Sequence, residues 1–141
     1  MTEHELVAET TRLGGRLRQV LAMLGAEFLL GMGANLVGMP SEVKGGARAA
    51  TLTFIGLHAL LAIGILVVAF LVSRSAHEEQ LAVRPTTIGA VSVAVTFIAG
   101  MGTLATGNAW LSFVMAAGFL AAAGMYVAAY AEVSRLSPSA S

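Results

Sequence analysis

A chain of 141 residues has the length of one domain. With 57% hydrophobic and 11% charged residues it lacks the charge, usually about 25%, that a water-facing surface requires. Zero formal net charge without a basic block argues against a nucleic-acid partner, and the absence of Cys excludes disulfides, thiolate metal sites, iron–sulfur clusters and CxxCH haem attachment. A mean hydropathy of +0.81 makes lipid the main solvent, so the expectation is an all-α integral membrane protein built as a four-transmembrane-helix bundle.

The first 16 residues are polar and acidic before they are basic (Glu3, Glu5 and Glu9 ahead of Arg12), unlike a signal peptide, so the first apolar segment is expected to stay as a span. Two readings of residues 1–16 stand side by side. One is a short helix at the cytoplasmic surface with Leu6, Leu13 and Leu17 towards the headgroups; the other is a frayed tail.

Four stretches meet the roughly 20 apolar residues that spanning needs, at about 17–39, 50–73, 86–106 and 110–131, within a transmembrane domain of residues 17–135. Met39-Pro40-Ser41-Glu42 ends the first, because Pro cannot continue the backbone ladder. Arg74 to Gln80 forms the middle loop, and Arg84-Pro85 opens the third span. Gly107-Asn108 is a tight turn, followed by Trp110 at headgroup depth. Residues 136–141 read as a disordered tail. Six Lys and Arg residues (Arg12, Arg16, Arg18, Arg74, Arg84 and Arg135) fall on one side and two (Lys44 and Arg48) on the other, which places both termini of a multi-pass cell-membrane protein in the cytoplasm.

The two hairpins resemble one another. Phe28-Leu29-Leu30-Gly31-Met32-Gly33 parallels Phe97-Ile98-Ala99-Gly100-Met101-Gly102, and Gly64 to Phe70 parallels Gly124 to Tyr130. This is either a parallel duplication or the chance likeness of helices rich in Gly and Ala. In that alignment Glu27 meets Thr96, Asn35 meets Leu104 and His58 meets Gly118, so the strongly polar residues stay in the first hairpin. Small pairs in the fourth span (Gly118 with Ala122, Ala117 with Ala121, Gly124 with Ala128) suit close helix packing.

Glu27 lies about 15 Å into the first span, near the bilayer midplane, where an ionised carboxylate costs at least about 2.5–3.5 kcal/mol. It must be protonated, paired or wet. Met23, Gly31 and Asn35 extend its stripe at four-residue steps, and His58 descends to a depth between Asn35 and Glu27. Glu27, Asn35, His58 and Thr96 are the candidate intramembrane polar pocket, with Ser92 and Thr103 as further hydroxyls. Against that reading, Glu27 and Asn35 serve equally as interhelical hydrogen-bonding glue, His58 as a packing histidine, and the three hydroxyls as bonds back to their own helix. No metal-ligand spacing, nucleophile–base pair or phosphate loop occurs, so no catalytic residue and no enzyme activity are expected.

Three functions follow. The pocket serves proton-coupled transport or binding of a small molecule or ion. Alternatively the chain is an accessory or scaffolding subunit of a larger membrane complex. Or His58 binds a cofactor: haem, through two His58 residues across a homodimer, or a quinone or lipid. A homo-oligomer or a membrane-protein partner accompanies each of these.

Overall fold

The computed structural model describes residues 3–37 and 43–136. Four helices follow in order: α1 (Glu3–Val37), α2 (Gly46–Glu79), α3 (Val83–Thr106) and α4 (Ala109–Leu136). All four are long and apolar enough to cross a membrane, and only 11–17% of each most apolar window is buried within the chain. The remainder of those windows faces outward, which a bilayer tolerates and water does not. The expected four-helix membrane bundle is therefore the fold.

The helices run up, down, up and down in a ring. Each packs on its sequence neighbour and α4 closes onto α1, while across either diagonal no Cα pair among the described residues comes within 8 Å. Inward positions alternate steps of three and four, the spacing of an antiparallel bundle seam. On α1 they are Leu13, Leu17, Val20 and Leu24, on α2 Ile65, Ala69, Val72 and Ala76, and on α4 Ala122, Tyr126, Ala129 and Val133. Thr86, Gly89 and Val93 face them from α3. Except for Thr51, the fully buried side chains among the described residues gather in the half that holds the α2–α3 connection and six arginines, the arginine-rich end. Towards the opposite end burial is sparser, with Glu27, Thr51 and Ala99 as its buried positions among the described residues.

Three boundaries differ from the sequence expectation. Residues 3–16 and the described part of the first span form one continuous helix, and Leu13 and Leu17 are buried in the bundle core instead of facing headgroups. The side chain of Leu6 lies outside the described residues. The middle loop is only Gln80 to Ala82, because α2 stays helical through the Arg74–Glu78 pair, and Pro85 falls in the first turn of α3, where no backbone bond is lost. The Met39 to Glu42 stop and the 137–141 tail lie outside the described residues. At Gly107 the expected turn is present: its φ is 65°, its N–H donates to Thr103 O at 2.8 Å, and Asn108 Oδ1 accepts from Trp110 N at 2.9 Å.

Tight packing between α3 and α4 depends on a missing side chain. A Cβ on Gly89 would stand 3.0 Å from Cζ of Tyr126, whose ring is fully buried and has nowhere to move. A Cβ on Gly124 would meet nothing within 4 Å outside its own stretch of helix. Gly89→Val is expected to destabilise the bundle by about 1–3 kcal/mol, with Gly124→Ala near neutral, measured by thermal unfolding in detergent.

Beyond the apolar run of α2, at the arginine-rich end, the Glu9 and Glu79 carboxyls both bury an Oε2 that has no partner among the described residues. Burial, then the Glu9 charge, holds the Glu79 carboxyl above the ordinary range, against the opposing pull of Arg12 and Arg16. The folded chain thus takes up this proton at higher pH than the unfolded chain. The stabilisation is complete below the ordinary value of 4.5 and is lost as pH rises through the raised one. Glu79→Gln is expected to raise the melting temperature at neutral pH, by a margin that narrows as the pH falls towards the ordinary glutamate range.

Candidate functional site

The inward stripe of α1 is apolar until it reaches Glu27, seven residues after Val20 and so on the same face. His58 stands seven residues before Ile65 on the stripe of α2. The bundle geometry that buries leucine and valine thereby turns a carboxyl and an imidazole towards each other. His58 Nδ1 lies 3.1 Å from Glu27 Oε1, with the Glu27 side chain 10% exposed and that of His58 32% exposed. Distance and alignment disagree here. The atoms are in contact, yet among the described residues Nδ1 forms no hydrogen bond of acceptable angle and Glu27 Oε2 has no partner. We therefore describe a polar contact with unspent hydrogen-bonding capacity, not a closed salt bridge.

Glycines make the approach possible. A Cβ on Gly31 would stand 3.2 Å from His58 Cε1, one on Gly33 would stand 3.0 Å from Phe54 Cε1, and one on Gly64 would stand 3.3 Å from Met23 Cε. Met23 is thus a packing residue, and Gly31 admits the imidazole ring close to the α1 backbone.

Asn35 does not join the pair. It is exposed on α1, because two steps of four residues rotate a position about 80° off the stripe on a 3.6-residue helix. Thr96 does turn inward on α3, half-buried, but it faces Gly118 of α4 and stands across the bundle diagonal from Glu27. Its Oγ1 has no partner among the described residues, so it does not bond back to its own helix, whereas Thr103 does, donating to Ala99 O at 2.9 Å. Ser92 is half-buried, and its carbonyl oxygen would lie 3.4 Å from a Cβ added to the same glycine.

Sequence reasoning missed Tyr126. Its ring is fully buried in the α4 stripe and its hydroxyl has no partner among the described residues. The available signal was its step of four residues from Ala122 on a helix whose inward residues are otherwise small. Among the described residues, the inward hydrogen-bonding atoms left unsatisfied by the chain in the membrane interior are Glu27 Oε2, His58 Nδ1, Thr96 Oγ1 and the Tyr126 hydroxyl. Each costs about 1–3 kcal/mol unless something else pairs with it. No group of three His or Glu side chains gathers among the described residues to hold a metal ion.

A contact of this kind is measurable as an energy. In a double-mutant cycle of Glu27→Gln and His58→Ala, unfolding free energies are expected to deviate from additivity by about 0.5–3 kcal/mol. Strict additivity would mean that the two side chains do not interact.

No known protein family, no curated protein and no solved structure matches the chain. The functional reading rests on the site's own chemistry.

Proposed function

We propose that this is a small polytopic membrane protein whose Glu27–His58 pair binds and carries a proton, or a small hydrogen-bonding cation, across the bilayer. The carrying observation is the pair itself: a carboxyl and an imidazole 3.1 Å apart inside an apolar bundle, each with an unsatisfied ring or carboxyl atom. Such groups are costly in lipid and mark ion and proton paths where they occur. A carboxyl and an imidazole in contact exchange a proton without leaving the site, and Oε2 remains to accept a bond from a solute. His58 is a third exposed, which supports access from its side. The packed layer of Leu17, Val20, Ile65, Val93 and Tyr126 separates the pair from the arginine-rich end and suits a closed gate.

The distribution of arginines supports an orientation with both termini in the cytoplasm, which places the pair in the outer half of the membrane. Duplication of the hairpin is supported by the aligned glycines. Gly31 and Gly33 abut α2 at His58 and Phe54, while Gly100 and Gly102 abut α4 at Met115 and Leu111.

An accessory role in a larger membrane complex is the second reading. It is favoured by the outward face of α4, where Ala117, Ala121, Gly124 and Ala128 are exposed at packing intervals. Proton flux into liposomes, driven by a potassium diffusion potential and read by an entrapped pH dye, decides between them. Wild type is expected to conduct, and Glu27→Gln to abolish the flux while keeping its helical content. Equal flux in the folded variant would overturn the transport reading and leave the accessory role.

A further inference from the structure

At the arginine-rich end, the seam between α1 and α2 holds a groove of about 380 Å³ on the outside of the bundle, away from Glu27 and His58. Its upper wall carries Arg16 and Gln19 from α1 and Arg74 and Ser75 from α2. Its lower wall is Val68 and Leu71, which belong to the apolar run of α2. The groove therefore crosses from hydrocarbon depth to headgroup depth along one helix seam.

Its polar wall is assembled, not incidental. Ser75 is only 8% exposed, and its Oγ accepts a hydrogen bond from Arg16 Nη1, which fixes that guanidinium over the seam. Arg74 pairs with Glu78, Nε to Oε1 at 2.9 Å, but the two side chains are 68% and 63% exposed. An exposed pair one helical turn apart is weak, so its guanidinium is available to a stronger acceptor. Two guanidiniums against one carboxylate leave the groove net positive, and guanidinium forks match phosphate oxygens.

We propose that this groove binds the phosphate headgroup of an anionic phospholipid, with Arg16 and Arg74 on the phosphate and an acyl chain along Leu71 and Val68. A lipid is favoured over free phosphate because half of the lining is apolar and opens towards the membrane. Basic recesses between spans at the cytoplasmic face suit anionic headgroups in this way.

Native mass spectrometry of the full chain in detergent, titrated with phosphatidylglycerol or with phosphatidylcholine of the same acyl chains, tests the assignment. Phosphatidylglycerol is expected to remain bound where phosphatidylcholine dissociates. Arg16→Gln also removes the bond to Ser75 and disturbs the seam, so exposed Arg74 carries the test. Arg74→Gln is expected to weaken phosphatidylglycerol binding about fivefold, on the order of one interfacial charge. Arg135→Gln, at the same end on α4 but outside the groove, is expected to leave it unchanged. Equal retention of the two lipids, equal losses in the two variants, or displacement of the lipid by millimolar inorganic phosphate would each overturn the proposal.

Discussion

A carboxyl inside a bilayer finds hydrogen bonds only in protein or in enclosed water, so whatever satisfies Glu27 must be delivered by the bundle. Delivery depends on register. His58 reaches Glu27 because α1 and α2 meet in an antiparallel alignment that sets Gly31 against the imidazole, Gly33 against Phe54 and Gly64 against Met23. These glycines let the helices approach until side chain meets backbone. A slip of one residue would turn either stripe by about 100° and part the two groups. The polar pair and the packing of the first hairpin are thus one arrangement.

The remainder of the bundle explains how such a costly feature persists. The arginine-rich half contains most of the fully buried residues of the four stripes, including Leu13, Leu17, Val72, Ala76, Tyr126 and Val133. In lipid these contribute through close contact more than through escape from water, and small residues such as Ala69, Ala122 and Ala129 bring the helices close enough for it. Glu27 and His58 sit where this packed region gives way to the looser one. The packed half holds the ring together, so the bundle tolerates the cost of the Glu27–His58 pair at its edge as well as that of the enclosed Tyr126 hydroxyl.

This division also explains what could be read in advance. The four spans were legible because hydropathy reports the solvent, and the Gly107-Asn108 turn because only a few residues accept its geometry. Helix ends were not. Hydropathy falls at the membrane edge while the backbone continues, so α1 begins well before its apolar run and α2 continues through Arg74 and Glu78. Glu27 and His58 were conspicuous by residue type, and the structure places them in contact. Asn35 was drawn in by uniform steps of four, which drift around a helix, whereas the core follows alternating steps of three and four. Tyr126 was overlooked because it stood only as part of the likeness between hairpins, on a helix whose small residues drew the attention. Only the three-dimensional arrangement reveals that its hydroxyl is enclosed.

The two proposals meet at the arginine-rich end. For a proton or solute on Glu27 to cross, the layer around Val20, Ile65 and Tyr126 must part. Shear is a small sliding of one packed helix along its neighbour, and the contact of α1 with α2 is where such a step would be felt by the groove. A lipid phosphate held jointly by Arg16 of α1 and Arg74 of α2 would tie that hairpin together on the outside of the same layer. If parting the layer shifts α1 along α2, the two guanidiniums separate and the phosphate loses one of its partners. Lipid binding would then favour the closed arrangement. By reciprocity, whatever occupies Glu27 and favours opening would weaken the lipid by the same factor. The surface groove and the buried pair, on opposite sides of one packed layer, are in a position to act on each other without touching.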